Sequence, residues 1–251
     1  MNDQLVSIIT PAYKAAAYVG ETIESVLAQT YPHWEMLIAN DCSPDNTAEV
    51  VQAYCQRDPR IRLINMPQNG GPAAARNGAI AQAQGRWLAF LDSDDLWLPT
   101  KLQDSLTHAH ATQAAIVYTA FRRISADGAQ VGKPVTVPAS LSYHQLLGNT
   151  AIATSTVLVD CSKSGPVVMR KTYYDDFDCW LQILKRGNMA HGLNKDLMRY
   201  RVLGQSVSRN KKKSALHVWR AYRDLEKLNV IQSAWYFLQY AMRGLLKYRK
   251  F

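Results

Sequence analysis

Three carboxylates, Asp92, Asp94 and Asp95, stand directly behind the apolar run Trp87 to Leu91. Carboxylates gathered where a buried strand emerges repel one another, and a cation normally relieves that repulsion. Oxygen ligands of this kind suit Mg2+ or Mn2+, which can also bridge two phosphate groups of a bound diphosphate. Asp is equally common in loops and at helix N-caps, so ligand and cap readings stand side by side for Asp92 and Asp95. Two further places carry chemistry. Tyr13 and Pro11 follow one apolar run and Asp41 another, and an aromatic ring with a carboxylate at one sheet edge could stack on a base and accept its imide proton. Alternatively, Asp41 forms a turn and Tyr13 lies on the rim. Arg76 is a lone cation in the Ala-rich stretch Ala73 to Asn77, able to pair with a phosphate or to reach solvent. Finally, Asp175, Asp176 and Asp178 precede the helical residues Leu181 to Lys185. The helix dipole favours acids there whatever their role, but a helix start facing the same crevice would let one of them take the proton from an attacking hydroxyl.

These groups need elements to position them. Val6 to Thr10 reads as a buried strand stopped by Pro11, Trp34 to Ala39 as a second, Ile61 to Ile64 as a third and Trp87 to Leu91 as a fourth. Between them, Gly20 to Thr30, Thr47 to Arg57 and Ala73 to Gln84 have helical spacing or composition, the last capped by Gly85. Such alternation predicts an α/β unit with a mainly parallel sheet. Ligands of these sheets lie beyond the carboxyl ends of the strands, where the loops holding Pro11 to Lys14, Asp41 to Asn46 and Asp92 to Asp95 should share one crevice. Beyond residue 100 the pattern predicts an amphipathic segment from Lys101, strands at Ala115 to Phe121 and Thr154 to Asp160, and a loop from Asp127 to Ser140.

Composition narrows the class. A chain of 251 residues, 47% hydrophobic, can bury one substantial core plus a smaller appendage, which excludes a disordered or fibrous protein. Cys42, Cys55, Cys161 and Cys179 are scattered, without the spacing of a zinc site or a disulfide framework, as in a cytosolic protein with reduced thiols. Met1 to Gln4 pass straight into Leu5 to Ile9 with no basic leader or cleavage site, which predicts no export signal, and no apolar run approaches the roughly 18 residues of a spanning helix. Of the 29 Lys/Arg and 20 Asp/Glu, 11 and 2 lie in residues 209–251, leaving 18 of each before residue 209. The net charge of +9 therefore belongs to the tail.

Taken in order, VSIITPAYK, NDCSPDNT, GGPAAARN, FLDSDDLWLP and DDFDCWLQILKRG resemble the motifs of glycosyltransferase family 2, inverting enzymes with the GT-A fold. Each is weak alone, but five in the correct order over residues 5–210 are specific. The segment YRVLGQSVSRNK makes the chain look most like transferases of teichuronic acid, O-antigen and capsule synthesis. The resemblance implies an α/β, Rossmann-like GT-A catalytic domain over 1–210, with a nucleotide-binding half (1–100) and an acceptor half (101–210), followed by a basic helical extension over 211–251. It places Pro11, Ala12, Tyr13, Asp41, Arg76, Asp92 and Ser93 where the family holds the nucleotide, usually uridine. Asp92 and Asp94 fall on its DxD metal motif, with Asp94 favoured as the direct ligand of Mn2+ or Mg2+. The family's catalytic base, the Asp of an acidic pair before an aromatic residue, falls on Asp176, with Asp175 where Glu is commoner. Asp95, Trp97, Thr154, Ser155, Asp175, Trp180, Ser208 and Lys211 are candidates for contacts to acceptor or diphosphate. The chain departs from the pattern at Lys14, where Asn is frequent, and at Leu203, where many members have His; Ser208 or Lys211 is the alternative for closing over the diphosphate.

The implied activity is metal-dependent transfer of a hexose from a UDP-sugar to a hydroxyl of a lipid-linked bacterial surface glycan, by a single displacement with inversion. The tail places Trp219, Tyr222, Leu225, Leu228, Ile231, Trp235, Leu238 and Leu245 among Lys and Arg at helical spacing. Such a helix pair could lie on an anionic membrane, making the protein peripheral on the inner face of the cytoplasmic membrane, or pack its apolar stripe on the catalytic domain. Two other functions compete: a nucleotide-sugar-binding protein without turnover, and a nucleic-acid-binding protein using the basic tail. The balanced charge of the first 208 residues and the lack of any reading motif lead us to expect no nucleic-acid partner.

Overall fold

The computed structural model describes residues 2–172, 174–204 and 211–248. Strand and helix alternate at the front of the chain, through β1 (Asn2–Ala12), α1 (Val19–Leu27), β2 (Trp34–Asn40), α2 (Thr47–Arg57), β3 (Ile61–Asn65), α3 (Pro72–Ile80) and β4 (Gly85–Phe90). There follow β5 (Leu96–Trp97), α4 (Lys101–Thr112), β6 (Ile116–Ile124), β7 (Val131–Val135), β8 (Ser140–Leu141) and α5 (Tyr143–Leu147). Next come β9 (Leu158–Asp160), α6 (Cys161–Ser164), α7 (Asp175–Lys185) and β10 (Ala190–Arg201). Finally α8 (Lys211–Arg220) runs through a π-helical turn, Ala221–Leu225, towards α9 (Val230–Tyr248).

One sheet runs in the order β3-β2-β1-β4-β9-β6-β10-β5, with β7 beside β6 and β8 beside β10. Strands β3, β2, β1 and β4 are parallel, so their carboxyl ends open on one edge. Beyond them β9 is antiparallel to both β4 and β6, β10 is parallel to β6, and β5 returns antiparallel to β10. Because alternate strand residues face opposite sides, Ile8, Met36, Ile38 and Ala89 join one core with α1, α2 and α4. Ile9, Leu37, Ala39 and Phe90 join the other with α3, α5 and α7. Helices cover both faces, so the centre of the sheet is buried, β2 along its whole length.

Three local expectations give way. Residues 154–156 form a 3-10 turn rather than the start of a strand, since Thr156 Oγ1 donates to Ala153 O and Val157 N to Thr154 O; only Leu158–Asp160 pair in the sheet. Such hydroxyls offer the backbone a turn in place of a ladder. The stretch expected as a loop from Asp127 to Ser140 contains β7, a mostly exposed strand that carries Pro134 where it pairs only with β6. Gly85 begins β4 and caps no helix, as α3 already ends at Ile80; a Cβ there would stand 2.4 Å from Leu5 O.

Candidate active site

The parallel strands end at a cavity of about 460 Å³ lined by Pro11, Ala12, Tyr13, Asp41, Arg76, Asp92, Ser93 and Asp94, among others. All the residues expected to hold the nucleotide thus meet at one place. Tyr13 is half exposed, with the Lys14 ammonium 5.5 Å from its ring centre. The Asp41 carboxylate accepts from the Gly70 and Gly71 amides, at 2.8 Å each, and Asp41 O accepts from Asn69 Nδ2 at 2.9 Å. Asp41 therefore organises the loop before α3, besides whatever it offers a ligand. Gly71 needs its glycine, with φ 83° immediately before Pro72 at the helix start, and a Cβ on Gly70 would lie 2.5 Å from that of Ala74.

Arg76 joins distant parts of the chain. From α3 its buried guanidinium donates through Nη2 to Asp92 Oδ1 at 2.7 Å and through Nη1 to Asp175 Oδ2 at 3.1 Å. Burial alone would lower its pKa, but Asp92, Asp175 and Asp176 reverse that and hold it charged far above neutrality. A carboxylate behind β4 and one at the head of α7 thereby share one cation. They also share a larger cavity of about 630 Å³ that continues the first through Gly71, Pro72, Arg76, Asp92 and Asp94 and extends to Thr154, Ser155, Asp175 and Asp176. Its size suits a small-molecule ligand.

Asp94 lies on this wall. Burial first, and then the neighbouring Asp92, push its carboxyl up to about 6. Among the described residues no group of three or more His, Cys, Asp or Glu could hold a metal ion by itself. Asp92 and Asp94, with the negative charge around them, fit a hard divalent cation that would need further oxygen ligands from a bound molecule. Asp175 is also raised, because burial and the carboxylates of Asp176 and Asp92 outweigh the Arg76 charge. Asp176 is aimed by its neighbours: Oδ2 accepts from Thr154 Oγ1 and Oδ1 from the Phe177 amide, both at 2.6 Å.

Several candidate contacts sit elsewhere. Asp95 is buried and turned from both cavities, with Oδ1 accepting the Arg201 amide at 2.9 Å; burial, then Asp92 and Asp94, raise its pKa strongly. Trp97 is likewise buried, its indole N–H donating to Ser155 O at 2.7 Å while Ser155 Oγ accepts the Asp92 amide at 3.1 Å. It positions the carboxylate loop through Ser155 and lines neither cavity. Trp180 packs edge-on against Phe90 in the core, because the apolar stripe of α7 buries it with Phe177, Leu181 and Leu184. Thr154 and Ser155 do line the cavity, but their hydroxyls serve Asp176 and Asp92. Ser208 lies outside the described residues, as does the side chain of Lys211.

Other contributors carry no signal in the sequence, except Asp178, which the acidic cluster before Leu181 includes. Arg201, at the end of β10, is buried beneath the carboxylate loop and donates to Asp94 O at 2.9 Å, Ala126 O at 2.7 Å and Glu21 Oε2 at 2.6 Å. Asp178 pairs with Arg170 through both guanidinium arms, bracing the approach to α7. Lys171, Thr172, Tyr174, Ser214 and His217 complete the cavity wall, the last two from α8, so the C-terminal helices are part of the site.

Similar proteins identify the family and the fold. TuaG of Bacillus subtilis, assigned to teichuronic acid biosynthesis as a glycosyltransferase, is 41% identical over 97% of this chain and 97% of its own length. The Escherichia coli enzyme WfgD, a UDP-Glc:alpha-D-GlcNAc-diphosphoundecaprenol beta-1,3-glucosyltransferase, is 35% identical over 99% and 96%. Among solved structures, Staphylococcus aureus TarS 1-349 in complex with UDP-GlcNAc superposes with a TM-score of 0.71 at 17% identity, covering 94% of this chain and 71% of that one. The mannosyltransferase PcManGT from Pyrobaculum calidifontis, in complex with GDP-Man and Mn2+, gives 0.71 at 15% identity over 98% and 75%. At these identities the structural likeness speaks for the shared GT-A fold. The model of glycosyl transferase family 2 matches residues 7–171, from the middle of β1 past the carboxylate loop, and with it and such relatives the chain belongs to that family.

Proposed function

We propose that the protein transfers a hexose from a UDP-sugar to a hydroxyl of a lipid-linked surface glycan on the cytoplasmic side of the membrane, with inversion at the anomeric carbon. The observation that carries this reading is Arg76, whose single guanidinium holds Asp92 and Asp175 and so ties the donor corner to the residue beside the proposed base. The WfgD name supports both the uridine-diphosphate donor and the lipid-linked acceptor.

In this reading Tyr13 and the loop around Asp41 receive the nucleoside. Asp94, with Asp92 beside it, holds Mn2+ or Mg2+, which supplies positive charge against the departing diphosphate when bound. Asp176, oriented by Thr154, takes the proton of the acceptor hydroxyl as that oxygen attacks from the side opposite the leaving group. Lys171 on the same wall adds a positive charge to the cavity.

Asp94→Ala is expected to lower Mn2+-dependent UDP affinity by roughly tenfold or more while leaving the metal-free affinity unchanged. Nucleotide titration with Mn2+ and with EDTA reads both, and an unchanged Mn2+ increment would remove Asp94 from the metal site. The wild type carries a pH signature with it. Only the ionised carboxylate binds the ion, so with the metal-free Asp94 titrating at about 6, the Mn2+ increment should be flat above that pH and decline below it, by about tenfold per unit.

A further inference from the structure

Helix α9 has two apolar faces, only one of which packs on the domain among the described residues. Its inner face packs through Tyr236, Phe237 and Tyr240 on the main core, Tyr236 Oη lies 2.9 Å from His144 Nδ1, and Arg243 donates to Gly148 O at 2.7 Å. The outer face presents Ile231, Trp235, Leu238 and Met242, spaced along one side of the helix and exposed by 83, 61, 54 and 56%. The sequence reading left open whether the tail packs on the domain or meets a membrane; the two faces of α9 divide those roles. A bare stripe that includes Trp and Ile, held rigidly on a folded domain, is unusual on a soluble surface.

We infer that this stripe inserts into the headgroup region of an anionic lipid bilayer. Charge argues for lipid as the occupant. From residue 227 to 251 the chain has Lys227, Arg243, Lys247, Arg249 and Lys250 and no Asp or Glu. Lys227 is exposed at one end of the stripe, and at the other Arg243 is exposed although its guanidinium also donates to Gly148 O. The acid just before this stretch, Glu226, is buried and consumed inward by Lys185 at 2.6 Å, Gln182 and Tyr143. An apolar stripe framed by cations and free of acids matches an anionic interface, where Lys and Arg meet headgroups while Trp, Ile, Leu and Met enter the acyl boundary. No described helix is long and apolar enough to cross a membrane, so attachment through α9 would lie in the plane of the interface. Its consequence rests on the proposed lipid-linked acceptor: α8, which leads into the same helical unit, lines the reaction cavity with Ser214 and His217, so the anchor sets the height of the cavity above the bilayer.

Flotation of the full-length protein with phosphatidylcholine vesicles, with and without phosphatidylglycerol, tests the surface. The wild type should float with the anionic vesicles and largely fail to do so with phosphatidylcholine alone. The double substitution Trp235→Ser, Leu238→Ser should reduce the bound fraction by roughly tenfold or more, and Ile231→Ser by less. Both variants change exposed side chains and should melt like the wild type, with unaltered transfer to a water-soluble acceptor analogue. Undiminished flotation of the double variant, or no flotation of the wild type, would overturn the inference. So would a wild-type dimer that the same substitutions dissolve, which would assign the stripe to a second copy of the chain. Because flotation needs no substrate, binding without any transfer would sink the enzymatic reading alone, and transfer without binding the membrane surface alone.

Discussion

Asp176→Asn should reduce the transfer rate by roughly 10²–10⁴-fold, the usual contribution of a positioned general base, with UDP affinity within about twofold of the wild type. The amide keeps the size of the carboxylate; its oxygen can accept from the Phe177 amide while its NH2 donates to a reoriented Thr154 hydroxyl, so position is kept and proton-accepting capacity is lost. Asp175→Asn is the informative comparison. Asp175 is committed to Arg76 at 3.1 Å, and its loss should act on donor binding and on the stability of the site more than on the proton. Initial rates of UDP release in the presence of acceptor, set beside UDP titrations, separate the two variants. Near-normal turnover of Asp176→Asn would remove it from the base role.

The second large effect is expected at Arg76. Arg76→Ala leaves the carboxylates of Asp92 and Asp175 in a mostly buried wall without their shared cation, and breaking a buried pair from one side costs about 3–5 kcal/mol. Arg76→Lys should rescue little, because one ammonium cannot reproduce two donor arms aimed at two carboxylates. The sign of the pH dependence follows. Without the guanidinium, Asp175, which burial already raises in its presence, would titrate further above its unfolded value, so the folded variant binds protons more readily than the unfolded chain. Its stability deficit should then be greatest near pH 7 and shrink as the pH falls through the raised pKa. Urea melts at pH 7 and pH 5 measure this, and a deficit independent of pH would mean that the carboxylates do not depend on Arg76.

The front of the fold was legible because β1, β2 and β4 are buried on both faces and spelled by continuous apolar runs, each stopped by a polar loop. Parallel pairing then brings the loops after them to one edge, which is why Pro11, Tyr13, Asp41, Asp92 and Asp94 could be grouped from sequence. Strand β10 was not legible. Its residues HGLNKDLMRYR alternate irregularly, since register shifts around Asp196 break the period-two pattern along its pairing with β6. With β10 unread, nothing pointed to Arg201 beneath the carboxylate loop. The three misplaced contacts share a cause. Asp95 and Trp97 follow the carboxylates in the chain and Trp180 follows the acidic pair, but proximity along the chain does not specify direction: the loop turns Asp95 and Trp97 inward, and the helical period carries Trp180 to the core face of α7. Thr154 was legible as a cavity residue, but its role in orienting Asp176 depends on a 3-10 turn that its β-branched neighbours disguise as strand.

A crystal structure of the Asp176→Asn protein with a UDP-sugar and Mn2+ would probe most directly whether one donor is shared between these two carboxylate loops. The anomalous signal of manganese should lie on the Asp94 carboxylate and the diphosphate, with the anomeric carbon open to attack from the side of residue 176. Manganese bound away from Asp94, or a sugar ring screened from residue 176 by the protein, would contradict the account.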